Sequence, residues 1–137
     1  MKIIKLRVVP IFLTCLLLTN VSFASSHDTY WIEHDCVRAA GQLHDLIQSK
    51  PDDICAGDLE MASAYIEATA LKLQHNKIEQ ALTAIKYGEL ELKEISTNRS
   101  YCASFASSVK PVLAAVIRIS SEIEVLERLK AQDQTMP

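Results

Sequence analysis

The sequence predicts an all-α protein, an antiparallel up-down bundle of about four helices tied by one disulfide. Three observations carry this expectation. Apolar residues recur at steps of three and four along four separate stretches. Glycine stands only at Gly41, Gly57 and Gly88. Beyond residue 24, proline occurs only at Pro51, Pro111 and Pro137, too few turn formers for a many-stranded β fold.

The first element expected is a secretory signal over residues 1–24. Lys2, Lys5 and Arg7 give a positive start, Ile11 to Leu18 a short apolar run, and Ser22-Phe23-Ala24 a cleavage site with small residues at its outer positions. The run is well short of the roughly 20 residues that span a bilayer, so no transmembrane anchor is expected. A lipid anchor would need a small residue directly before Cys15, where Thr14 stands. Residues 25–131 then form one bundle domain, and 132–137 a flexible tail. Without Lys2, Lys5 and Arg7 the remainder carries 11 Lys and Arg against 17 Asp and Glu, a net charge of −6. An acidic surface repels phosphate backbones, which argues against a nucleic-acid partner.

The first helix is expected over 28–48, with Ile32, Cys36, Ala39, Leu43 and Ile47 on one face and Trp31 and Leu46 widening the stripe. Ser26 or Asp28 can cap it, and Lys50-Pro51 ends it. A second helix should start near Asp58, whose carboxylate can cap free N–H groups, and bury Leu59, Ala62, Ile66, Ala70 and Leu73. Asn76, three residues before Glu79, reads as the cap of a third helix over 77–96. That helix buries Ile78, Ala81, Ile85, Gly88, Leu92 and Ile95, with Gly88 admitting a neighbouring backbone. The fourth should start near Ser107 or Ser108, with Pro111 in its first turn. Val109, Val112, Val116, Ile119, Ile123 and Leu126 form its seam, with Leu113, Ile117 and Leu129 beside them.

The stretch from Asn76 to Ile85 resembles the turn and second helix of a tetratricopeptide motif. Ala81 matches the repeat's alanine, and Ile78 and Ile85 stand for its aromatics. Thr69 and Lys72 depart from the motif's glycine and tyrosine, and the pattern occurs once. The resemblance implies a protein-binding helical hairpin.

Of the cysteines beyond the signal, Cys55 lies in the first connection and Cys102 beside the third, which an up-down bundle brings to one pole. Cys36 lies about 12 residues before its helix ends, ~18 Å along the axis. A disulfide needs Cα atoms within roughly 7 Å, which favours Cys55–Cys102. The rival, Cys36–Cys55, requires the loop to fold back along the first helix. Cys36 is then left as a buried thiol on the apolar stripe, or else as a link to another molecule. No Cys-x-x-Cys pair supports a redox role.

His27, His34 and His44 each precede an aspartate. His27 and His34 share a face, and His75 lies at the pole of His27. Together His27, His34 and His75 could ligate zinc or copper, although solvated histidines need no ligand. Asp52, Asp53, Asp58 and Glu60 lack calcium-loop spacing and read as helix-end charges; Glu89, Glu91 and Glu94 read as a solvated face. The serines lack a glycine-flanked nucleophile elbow, so no enzyme activity and no cofactor are expected. Tyr30 and Trp31 are candidates for an exposed interaction patch or for rim packing.

The resulting expectation is an exported, periplasmic or secreted, protein-interaction module, in the class of secreted factors, inhibitor or immunity proteins and chaperones. The alternative is a metal or small-ligand carrier built on the histidine-rich first helix. The wide seam of the fourth helix adds an expectation of weak self-association.

Overall fold

The structure, a computed structural model, describes residues 21–136, with side chains from residue 29 onward. Most of the expected secretory signal, residues 1–20, lies outside the described residues. The described chain is helical: α1 Val21–Ser49, α2 Ala56–Gln74, α3 Ile78–Thr97, a short 3-10 turn Ser100–Cys102, and α4 Lys110–Thr135. Each helix packs on the next and α4 closes against α1, giving a four-membered antiparallel bundle. Among the described residues, no helix is long and apolar enough to cross a membrane.

The stripes read from the sequence meet in one core. Ile32, Cys36, Ala39 and Leu43 of α1 are buried with Leu59, Ala62, Ile66 and Leu73 of α2. Ile78, Ala81, Ile85, Leu92 and Ile95 of α3 join Val112, Val116, Ile119 and Ile123 of α4. Leu46, Ile47, Leu113 and Leu126 pack half-buried at its rim. Removing this apolar surface from water, at ~25 cal/mol per Å2, is the main stabilising force. Gly88 acts as the sequence suggests. A Cβ there would come 3.2 Å from Ile66 Cγ1 and 3.6 Å from the Ala62 carbonyl oxygen, so glycine sets how closely α3 lies on α2.

Several boundaries differ from expectation, each for a local reason. α1 is already helical at Val21, so neither Ser26 nor Asp28 caps it. Trp31 is 55% exposed and does not widen the stripe; Ala40 does, from the flank nearer α2. α2 starts at Ala56, before Asp58, because Asp53 rather than Asp58 satisfies the opening: its Oδ1 accepts the Cys55 N–H at 2.9 Å.

Asn76, directly after the α2 cap residue His75, closes the end of α2 instead of starting α3. Its φ of 54° is left-handed, its N–H donates to Leu73 O, and the Lys77 N–H donates to Lys72 O, both at 2.9 Å. Those paired bonds are a Schellman closure, which places asparagine or glycine at this point. α4 starts at Lys110 rather than at Ser107 or Ser108. Pro111 has no N–H for the Ser107 carbonyl, and Lys110 N bonds it instead at 3.4 Å, in a tighter turn. Along α4, Ile117 and Leu129 are exposed rather than packed beside the seam. The helix also runs to Thr135, through most of the expected tail, although apolar periodicity stops earlier.

Candidate functional site

Two regions concentrate the side chains that could act: the pole bearing the disulfide, and the outer face of α1. At the pole, Cys55 and Cys102 are joined, with Cα atoms 5.1 Å apart and a sequence separation of 47. The up-down topology brings these two connections together, as the axial-distance argument expected. Cys36 remains free and buried, and the rival Cys36–Cys55 pairing does not form. Burial pushes the Cys36 thiol up to about 12, helped by the nearby charges of Asp35, Glu33 and Glu122. Such a thiol is a poor nucleophile and behaves as a small apolar side chain.

Around the disulfide, the acids expected as helix-end charges, Asp53 and Asp58, and Glu91, expected on a solvated face, are all held by partners. Arg99 bridges Glu91 at 2.8 Å and Asp58 at 3.2 Å, and the Glu91 hydrogen bond raises the guanidinium further above its ordinary value. The Tyr101 hydroxyl also bonds Asp58, which raises its pKa. Ser104 Oγ donates to Asp53 Oδ2 at 2.6 Å, and that bond, with the Cys55 N–H, holds the Asp53 carboxyl below its usual range. Lys50 Nζ reaches the Ser104 carbonyl at 3.3 Å, across the same two connections. Among the described residues, the metal-type ligand atoms that lie within 4.8 Å of one another are those of Cys55, Asp58 and Cys102. Both sulfurs there are spent in the disulfide, and Arg99 already sits on Asp58. The pole is built to hold two connections together.

The histidines are spread out. His34 lies exposed on α1, where Arg38 donates to its Nδ1 at 3.3 Å, which leaves the proton on Nε2. A metal there would first displace Arg38. His75 is the residue that ends α2. The side chain of His27 lies outside the described residues, so the expected trio of His27, His34 and His75 is not described as a whole. His44 faces α2 instead: its Nε2 lies 2.7 Å from Glu67 Oε1 and 3.3 Å from the buried Ser63 Oγ. Serine and carboxylate meet the same ring nitrogen. A proton relay needs them on opposite nitrogens, so this trio ties α1 to α2 and does not prepare a nucleophile.

A surface groove of about 430 Å3 runs between α3 and α4, with Leu90, Ile117 and Ser120 among its lining. Lys86 of α3 and Glu124 of α4 pair across it at 2.9 Å. Their hydrogen bond raises the lysine and lowers the carboxyl, as a satisfied pair should. Lys93 pairs with Glu89 beside it. The groove's charges are therefore already matched to one another.

The outer face of α1 differs. Tyr30 and Trp31 are 58% and 55% exposed, with ring centroids 5.5 Å apart and edge-on. The Trp31 ring stands 6.4 Å from that of His34. Val37 is 58% exposed one turn further on. Sequence reading named Tyr30 and Trp31 but missed Val37 and the glycine after it. The signal was present: residues 30, 34, 37 and 41 step by four, three and four, directly opposite the buried stripe. It was hidden because the stronger stripe on the same helix accounts for its helicity.

No protein-family model matches this chain, and no curated protein or solved structure is significantly similar to it.

Proposed function

We propose that this protein is an exported protein-interaction module that uses the outer face of α1. The observation that carries the reading is a complete core beside large apolar side chains that the core does not use. Tyr30, Trp31 and Val37 stand exposed on a helix whose opposite face is fully buried. Aromatic residues of this kind are the ones that dominate binding energy at interfaces. The tetratricopeptide-like hairpin of α2 and α3 agrees with a binding role. The signal-like start of the chain and the disulfide agree with an oxidising compartment outside the cytoplasm, periplasmic or extracellular.

The test is capture of partners by the purified protein, repeated with Tyr30→Ala and Trp31→Ala. A specific partner retained by the parent and by an α3 control such as Thr83→Ala, but lost with both α1 variants, supports the reading. Capture that survives both substitutions sinks it. A metal titration separates the carrier alternative, since a carrier must melt at a higher temperature when its ligand is bound.

A further inference from the structure

We propose that the disulfide pole is also a zinc site: before Cys55 and Cys102 are joined, their two thiolates and the Asp58 carboxylate hold one zinc ion. The site lies apart from the outer face of α1, so the proposal goes beyond the interaction reading and does not rest on it. The chain is made with thiols, and disulfides form only where an oxidant is present. The reduced chain is therefore a state that every copy passes through.

The geometry starts from Asp58. It stands in the first turn of α2, where a carboxylate favours the positive end of the helix. That role needs no particular direction, and the nearby Glu60 is exposed to water. Asp58 is turned inward instead, and its Oδ2 lies 3.6 Å from Cys102 Sγ. On a tetrahedral zinc, a sulfur ~2.3 Å from the metal and a carboxylate oxygen ~2.0 Å from it stand ~3.5 Å apart. Carboxylate and sulfur are thus already spaced as neighbours around one ion. Cys55 Sγ lies within 4.8 Å of both. With the S–S bond unmade, the two sulfurs must stand ~3.8 Å apart to share a zinc. Cα atoms 5.1 Å apart permit that by rotation of the side chains.

The other oxygen of Asp58 is taken. Arg99 donates to Oδ1 at 3.2 Å and is anchored in turn by Glu91 at 2.8 Å. A partner on one carboxylate oxygen fixes where the other points, which is how the surroundings of a metal orient its ligands. Two thiolates and one carboxylate exceed the charge of zinc by one, and the Arg99 guanidinium supplies the missing cation. Thiolate ligands select zinc over magnesium or calcium. Both cysteines are buried and Asp58 is half-buried, so the site opens to water at Asp58, where a water completes the coordination.

Zinc and the disulfide use the same sulfurs, so one excludes the other. Binding zinc releases the protons of two thiols. Oxidised glutathione then takes two electrons from the two thiolates, the sulfurs join, the zinc ion leaves, and two glutathione thiolates are formed. The two connections are tied in both states, first by the metal and then by the covalent bond.

The test is titration of the full chain, reduced with a phosphine and stripped of metal, with Zn2+ and with Co2+. About one ion per chain should bind, with a near-ultraviolet sulfur-to-cobalt band, and zinc should raise the melting temperature. The oxidised parent should show none of these. Asp58→Asn should weaken zinc binding at least ~10-fold, because it replaces an anionic ligand with a neutral one, while its oxidised form keeps the parent's helical circular dichroism. Cys36→Ala should bind as the parent does. Saturating zinc should slow oxidation by oxidised glutathione at least ~10-fold. A reduced chain, folded or unfolded, that zinc neither binds nor stabilises overturns the proposal. So does binding that Asp58→Asn leaves unchanged, that Cys36→Ala removes, or that the oxidised parent shares.

Discussion

The two poles of the bundle solve the same problem by different means. At one, the α1–α2 connection and the long α3–α4 connection meet, and both are irregular. Besides their own backbone turns, side chains tie them: Asp53 on the Cys55 N–H, Ser104 on Asp53, Lys50 on the Ser104 carbonyl, and Arg99 between Asp58 and Glu91. A covalent bond then ties the two connections together. At the other pole, α2 turns into α3 through His75, Asn76 and Lys77, with backbone bonds closing the helix end around the left-handed Asn76. There, reaching contacts such as Gln74 to Glu33 and Lys130 to the Asn76 carbonyl are added at the surface. A three-residue turn is nearly fixed by its own backbone, whereas long connections are also held by what they touch.

If that contrast is right, damage should scale with how much each pole depends on side chains. The largest effect expected is from removing the disulfide. Cys55→Ala with Cys102→Ala should cost about 4 kcal/mol in the chain-entropy model for a loop of this length. It should be read as a loss of urea midpoint with little change in helical signal before the transition. An equal loss from Cys36→Ala would break the comparison, since that thiol is merely packed.

Next comes the backbone of the opposite pole. Asn76→Val should cost roughly 1–2 kcal/mol, because a β-branched residue is strained at the left-handed φ that asparagine tolerates. Asn76→Gly should be neutral or stabilising in the same thermal melt. Arg99→Met should cost about 1 kcal/mol, because it leaves Asp58 and Glu91 without their shared cation in a site only about a quarter exposed. Chemical denaturation of Arg99→Met, alone and with Glu91→Gln, should show part of that loss recovered in the double variant.

The smallest effects are in pH dependence, and they should come from the disulfide pole and from the Lys86–Glu124 pair of the α3–α4 groove. Asp53 titrates below its unfolded value, so its contribution is present above ~4 and lost as pH falls through the lowered folded pKa. Tyr101 titrates above its unfolded value, so its contribution is present below ~10 and lost as pH rises through the raised one. Melting temperature against pH should therefore be flat in the middle and fall on both sides. Asp53→Ala should soften the acid side and Tyr101→Phe the alkaline side. Lys130→Met, at the other pole, should leave the whole curve in place.

The core was legible because it repeats. Leu59 to Leu73 on α2 and Ile78 to Ile95 on α3 announce their buried faces by spacing, and every apolar position read there is buried. Cys55 with Cys102 was legible through topology, since helix lengths alone bring those connections to one end. The caps were less so. Asp58 and Asn76 are residues that favour helix ends, but composition cannot say which end, or whether a neighbour such as Asp53 reaches the vacant N–H first. Trp31 shows the same limit for packing: a large apolar residue beside a stripe can lie in the core or outside it.

Sequence by itself determined four helices, their inward faces and the pole at which two cysteines meet, because periodicity and chain length are properties of the chain alone. Only the tertiary structure decided which polar groups found partners. It also showed that Gly88 is filled by a neighbouring helix while Gly41 is left open. Whether the space beside a glycine is occupied depends on where other helices lie, and no local pattern carries that information.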